Sequence, residues 1–416
     1  MKKLLIAIPT YNRSEDIKFF LNSEVFLSKY NLVDLIIFDS SENESTEKVV
    51  YRFIKTGFVN LKYRKMNSNI PSNRKFFSIY EELYPDYNFI WTLHDHTIFN
   101  EESFNYIINN LDEKIDFYFL KTQCKSYRII KSNDLNKFLY DSAWLLGKMG
   151  ASIVNSTSFL KGVDWLYYKD KYLINKMINF SHIGFYFERA AEMADFNAET
   201  IEFPRDSFFD THRYERLSWE NETIRICTQC WGEVINSLPN KYLNKKEVLR
   251  TIDKYFLTKY KLIEYKEKGV FNLFVYFKYK KWIKRIMPNL NKDAFKIAIL
   301  PLWYVKSNIS RNLLSEIKIA REEKRNVYIY GAGKHGIECM DFLEYCGVEV
   351  DGFLVSDIKG NPDLIRNYSV YNLSDVIKKE KKIFAIIAVM NELKDEILDT
   401  IMDTNLKGYD FKWIIF

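Results

Sequence analysis

The first hundred residues alternate short apolar runs with helical segments, and that alternation constrains the fold more than any other feature of the chain. "KLLIAI" reads as a buried strand. "SEDIKFFLNS" then opens a helix, with Ser14 as its N-cap candidate and two acids in the first turn, where the macrodipole favours them. "LVDLIIFDSS", "NLKYRKM" and "YNFIWTL" read as three further strands, separated by the helical segments "STEKVVYRFIK" and "NRKFFSIYEEL". Alternation at this spacing predicts an α/β fold built on a parallel sheet. Ligands of such sheets gather beyond the carboxyl ends of the strands, which sets Pro9 to Arg13, Asp39 to Glu42 and His94 to His96 along one edge.

The remainder is read more coarsely. Strand-like pieces "DFYFLK", "GASIVN" and "AETIEF" and a helix "SHIGFYFERAAEMAD" lie between Ile115 and Pro239. Lys241 to Glu323 reads as mostly helical and basic. A second α/β unit opens at "RNVYIYGAGKHGIECMDFLEYCGVEVDGFLVSD" and continues through the strand "IFAIIAV". At 416 residues the chain is too long for one ordinary core, and the expected partition is 1–240, 241–320 and 321–416.

Composition excludes several classes. Hydrophobic content of 47% with 28% charge describes a globular chain rather than a disordered one. No run approaches the ~20 apolar residues needed to cross a bilayer. "MKKLLIAIPTYNR" turns polar after Pro9, which reads as a first strand rather than a secretory leader, so a cytoplasmic location with reduced cysteines is expected. "CTQC" at Cys227 to Cys230 has redox or zinc spacing but lacks a second pair, and its plainer reading is two small residues one helical turn apart. Between Lys241 and Leu290 fourteen Lys/Arg face four Asp/Glu, interleaved with aromatics. Such a stretch either lies on an anionic membrane, at the inner face of the cell membrane, or forms a helical linker with a solvated face. No nucleic-acid module accompanies the charge, so nucleic acid is not the expected partner.

Four clusters carry candidate chemistry: "IPTYNR" with Pro9, Thr10, Tyr11 and Arg13; Asp39 followed by Ser40 and Ser41; "NSNIPSNRKF" with Arg74 or Lys75; and "HDH", His94 to His96. Taken in order they resemble the donor half of a family 2 glycosyltransferase of GT-A fold, well over residues 1 to 100 and in outline over 140 to 215. The resemblance implies that the "PTYNR" turn and Asp39 hold a nucleotide, and that a cation near the helix start meets a diphosphate. It also implies an acidic motif after the fourth strand that holds ribose and a divalent ion. Here that motif is "HDH". Asp95 and His96 are expected to bind manganese in preference to magnesium, because imidazole suits the former. Two alternatives stand: the histidines contact phosphate without any metal, or the strand end is hydrogen-bonded to its neighbours. His212 in "FFDTHRY" is a candidate third metal ligand, and equally an exposed loop residue.

The resemblance further implies an inverting transfer with one general base. His182 stands where the family's acid begins a helix that carries Arg189, and Asp164 in "GVDWLYY" is the second candidate. In the carboxy-terminal unit Gly331, Gly333 and Gly336 lie between a strand and a helix, and Asp357 follows twenty-one residues after the last glycine. That unit resembles small Rossmann-like domains of bacterial sugar-modifying enzymes. It is read as a nucleotide or nucleotide-sugar accessory, an association scaffold, or a redox domain. The function expected is transfer of a sugar from a UDP-linked donor to a surface glycan, free or lipid-linked, by an enzyme that self-associates. The rivals are an NAD(P)-linked sugar oxidoreductase and a non-catalytic nucleotide or glycan binder.

Overall fold

The computed structural model describes the chain except for residues 1–3, 24, 27–31, 69, 71, 149, 205–206, 211–219, 255–256, 390–392, 394–396, 399 and 402–408. It divides into two compact units, Met1–Phe295 and Lys296–Phe416.

In the first unit, β1 (Leu4–Thr10), β2 (Val33–Asp39), β3 (Leu61–Lys65) and β4 (Phe89–Thr92) pair in parallel in the order β3-β2-β1-β4. The sheet is extended by β6 (Phe117–Cys124), β7 (Arg128–Ser132), β8 (Ser152–Asn155) and β9 (Ala198–Pro204) to the full order β3-β2-β1-β4-β8-β6-β9-β7. β8 runs antiparallel to both neighbours, and β7 antiparallel to β9. A separate ribbon joins β5 (Thr97–Phe99) to β10 (Phe208–Asp210). The alternation therefore predicts the class correctly: a mixed α/β sheet rich in parallel strands.

The inner parallel strands β1, β2 and β4 are mostly apolar because both faces are covered, whereas β3, at the sheet edge, is mostly polar. One face builds the cluster of Ile6, Ile8, Leu35, Ile37, Phe89 and Trp91 with Ile17, Phe20 and Leu21 of helix α1 (Ser14–Leu21). Ser14 is the first residue of that helix rather than its cap, since Arg13 occupies the capping position with its side chain turned elsewhere. Three further helices matter for the site: α2 (Ser72–Leu83) after β3, α3 (Trp165–Tyr172), and α4 (Ser181–Glu192), whose residues are nearly all buried. Aromatic packing ties them together. Phe76 and Tyr80 of α2 meet Tyr186 of α4, while Phe185 of α4 packs edge-on against Tyr168 of α3. β7 was not anticipated, because its alternation of exposed and half-buried residues around Arg128 and Lys131 carries little apolar signal.

Cys227 and Cys230 lie in a π-helical turn (Ile226–Cys230) as buried free thiols. Burial pushes Cys230 up to about 11 and Cys227 further still, so neither ionises readily.

In the second unit, β11 (Asn326–Tyr330), β12 (Gly352–Val355), β14 (Tyr368–Asn372), β15 (Lys382–Ile387) and β16 (Asp410–Ile415) are parallel, and β13 (Leu364–Ile365) forms an antiparallel edge. The order is β13-β14-β12-β11-β15-β16.

Gly184 on α4 is demanded by packing. A Cβ there would lie 2.1 Å from the Tyr172 ring, whose hydroxyl is anchored 2.6 Å from Glu188. Gly184→Ala is therefore expected to destabilise by about 1–3 kcal/mol through overpacking. Chemical denaturation would register this as a lowered midpoint, and an unchanged midpoint would refute the anchoring.

Candidate active site

Three strand ends meet through side chains. β1 ends at Thr10, whose Oγ1 donates to Asp95 Oδ2 at 2.8 Å across the β1–β4 pair. The chain then turns through Asn12, held in the left-handed region at φ 54°, a conformation Asn tolerates better than most residues. Its N–H donates to Ser41 Oγ at 2.7 Å, which fastens the turn to the end of β2. The turn also brings Arg13 back over the sheet. Its Nη1 donates to Asp95 Oδ1 at 2.9 Å and lies 3.1 Å from His96 Nδ1. His96 Nδ1 is also 3.1 Å from Asp95 Oδ1.

Asp95 is thus a buried carboxylate with both oxygens engaged. Burial pushes its pKa up, but the His96 hydrogen bond, the Arg13 charge and the Thr10 hydroxyl outweigh it and hold the group below its ordinary value. β4 ends at Thr92, and "HDH" lies in the turn beyond it rather than in an extended segment. The two imidazoles nevertheless face each other, stacked with centroids 4.9 Å apart.

At the end of β2, Asp39 is wholly buried and faces inward. Its Oδ1 accepts from the N–H of Ser41 at 2.8 Å and from the Ser41 hydroxyl, and its Oδ2 accepts from Tyr63 at 2.8 Å. Lys65 Nζ adds charge at 3.8 Å. A nucleobase N–H reaching Asp39 would have to displace one of these donors. Ser40 bridges instead: its N–H donates to the Thr10 carbonyl at 3.2 Å, and its hydroxyl contacts Lys75 Nζ.

Lys75 is the second cation of the cluster and only 4% exposed. Burial pushes its pKa down, against the opposing pull of Asp39 and Asp95. Its Nζ sits 5.9 Å from the centre of the Tyr11 ring, which is itself about half exposed. Of the pair Arg74 and Lys75, then, Lys75 reaches the strand ends, while Arg74 is exposed on the outer side of α2. The helical phase of "NRKFFSIYEEL" carried that signal: Lys75 precedes the buried Phe76 and Phe77, and Arg74 precedes it on the solvent side.

The remaining candidates lie apart from this hub. His182 is packed in α4 against Phe76 and Tyr186, with Nε2 3.2 Å from the Leu146 carbonyl. Asp164 caps α3, its Oδ1 accepting from the Tyr167 N–H at 3.0 Å, and is exposed. Arg189 of the same helix as His182 is spent on the carbonyls of Phe159 and Lys161. His212 falls outside the described residues.

The donor set does not fit a divalent ion as it stands. Arg13 already holds Asp95 Oδ1 and closes on His96, and no group of three metal-capable side chains occurs among the described residues. An ion at Asp95 would have to displace the guanidinium.

In the second unit, the turn after β11 leads into a helix beginning at Lys334. Gly331 is at φ +121°, and a Cβ there would lie 2.6 Å from the Ala388 carbonyl, while one on Gly336 would lie 1.8 Å from the Gly331 carbonyl. Those two glycines are required by the turn itself; Gly333 has open space around it. Asp357 is exposed and accepts from the Lys359 N–H.

No protein-family model matches the chain, and no curated protein matches it. Among solved structures, S. aureus TarS 1-349 in complex with UDP-GlcNAc is 15% identical, with TM-score 0.48, over 75% of this chain and 92% of that one. The mannosyltransferase PcManGT from Pyrobaculum calidifontis, in complex with GDP-Man and Mn2+, is 12% identical, with TM-score 0.37, over 74% and 86%. Glucosyl-3-phosphoglycerate synthase from Mycobacterium tuberculosis, with Mn2+, UDP and glucosyl-3-phosphoglycerate, is 10% identical, with TM-score 0.36, over 57% and 81%. These likenesses are remote and decide neither donor nor acceptor.

The folded chain keeps His182 neutral: burial lowers its pKa from 6.5 to about 4, against the backbone carbonyls of Leu146 and Gly147. An unfolded imidazole protonates near 6.5, so the stabilisation is complete above that pH and drains as pH falls toward 4. Its full extent is about 3 kcal/mol. His182→Gln is expected to flatten the acid limb of the stability curve between those values, and parallel curves for the two proteins would contradict the assignment.

Proposed function

We propose that this chain is a glycosyltransferase that moves a sugar from a nucleotide-sugar donor, UDP-linked, to a hydroxyl of a glycan acceptor, with inversion. The supporting observation is the convergence of Thr10, Arg13, Ser40, Lys75 and Asp95 at the carboxyl ends of β1, β2 and β4. Two cations and several hydroxyls gathered there suit a diphosphate, with the exposed Tyr11 ring beside them for the base.

In this reading Lys75 and Arg13 neutralise the charge that develops on the departing nucleoside diphosphate. Thr10 and Asp95 hold Arg13 and His96 in place. The acceptor oxygen attacks the anomeric carbon as the bond to the diphosphate oxygen breaks, and the acceptor's proton passes to a carboxylate. Neither base candidate meets the hub: Asp164 caps α3 beside Trp165, which packs on Tyr84 beyond the far end of α2 from Lys75, and the His182 ring is enclosed against Phe76, so the carboxylate that takes the proton is left unassigned. Manganese, the ion expected from the "HDH" motif, would have to compete with Arg13. The second unit is proposed as a nucleotide or nucleotide-sugar accessory, or a scaffold: Gly331 and Gly336 serve the turn and its packing, and the open space at Gly333 is where a phosphate would approach.

Release of UDP from a panel of UDP-sugars tests this. Turnover with at least one donor is expected, and Asp95→Ala or Lys75→Met is expected to lower it about a hundredfold or more. Nucleotide binding without release from any donor would favour a binder. A change in reduced-nicotinamide absorbance would favour an oxidoreductase working through the second unit.

Because Arg13 occupies the Asp95 carboxylate, chelation by EDTA is expected to leave wild-type turnover within about threefold. A strict requirement for added manganese would show that the guanidinium yields to the ion.

A further inference from the structure

We infer that the helix Leu273–Ile286 docks the protein on an anionic lipid bilayer, lying flat with one face set against the headgroups. The helix is fixed to its own unit by Tyr276, Tyr279, Trp282, Ile283 and Ile286, all buried. Trp282 closes over the backbone at Gly232, where a Cβ would lie 2.1 Å from the ring. That apolar stripe is therefore already used.

The opposite face is not purely polar, as a solvated helix face would be, but mixes exposed rings with cations. Phe274 is 75% exposed and Phe277 55%, one turn apart, and Phe295 packs beside Phe277 with centroids 6.3 Å apart. At 100° per residue, Lys278, Lys281, Lys284 and Arg285 fall on the same outward arc as the two phenylalanines. All four are exposed. None of Lys278, Lys281 and Lys284 pairs with an acid among the described residues, and the sequence holds no Asp or Glu between Glu267 and Asp293.

Exposed phenylalanines ringed by lysines without acid partners match a surface that is apolar just beneath an anionic layer. A duplex would use the lysines but not the rings, while a single strand could stack on them and is an outcome of the test below. The helix is about 21 Å long, too short to span a bilayer, and no described helix is long and apolar enough to do so. The predicted contact is therefore in-plane, with the rings at the acyl boundary and the ammonium groups among the phosphates.

The inference is independent of the transferase reading. Flotation of the full chain with vesicles of phosphatidylcholine, with and without phosphatidylglycerol, tests it. Binding is expected only with phosphatidylglycerol, and to fall about tenfold or more in both the Phe274→Ser/Phe277→Ser and the Lys281→Glu/Lys284→Glu double variants. Both variants touch only exposed positions, and their melting temperatures are expected to match the wild type. UDP release without vesicles is expected to be unchanged in both, which separates loss of docking from loss of transfer. Equal binding to neutral vesicles, binding that survives both double variants, no vesicle binding, or selective retention on single-stranded RNA would each overturn the proposal.

Discussion

The buried Asp95 carboxylate is the interaction on which the geometry of this edge depends. A charge that deep is tolerated only when paired and hydrogen-bonded. Thr10 and Arg13, from the turn after β1, and His96, one residue on, supply those partners. Removing any of them would leave an acid unsatisfied beneath the strand ends. The β1 turn and the β4 turn are therefore one construction, although 82 residues separate Arg13 from Asp95. The sheet explains why the distance is trivial: β1 and β4 are neighbours, so their ends fall side by side.

Much of this was legible from residue order. Strands β1, β2 and β4 announced themselves because parallel strands covered on both faces are mostly apolar, β3 by its place in the alternation, and the polar strand ends then mark the ligand edge. The placement of Thr10, Asp39 and Asp95 along one edge followed from that rule. What order alone left open was side-chain partnership. Asp39 turned inward to Ser41 and Tyr63, because Tyr63 sits on β3 and only the β2–β3 pairing brings its hydroxyl to the carboxylate. Lys75 rather than Arg74 faces the hub, a matter of helical phase that a pair of adjacent cations conceals. Ser14 looked like a cap by type, but the helix starts one residue earlier because Arg13 is drawn toward Asp95.

Two of the edge strands escaped for the opposite reason. β7 and β16 carry mixed polar residues, since one flank of an edge strand needs no apolar cover, and their pairing is fixed by partners far along the chain. In the second unit the glycines were legible but ambiguous. A glycine that a phosphate requires and one that a neighbouring carbonyl requires have the same one-letter code. The 1.8 Å that a Cβ on Gly336 would leave to the Gly331 oxygen shows that packing requires this glycine, with or without a phosphate in the turn.

The locked state of Asp39 has a thermodynamic corollary. With Ser41, Tyr63 and Lys65 already gathered around it, the loop after β2 has surrendered its rotamer freedom during folding rather than at capture. A ligand settling beside this loop, rather than on Asp39 itself, would order little that is not already ordered, so more of its contact energy would survive as affinity. Such a rigid rim discriminates by shape: it admits what fits the prepared contour and does not remould itself around what does not.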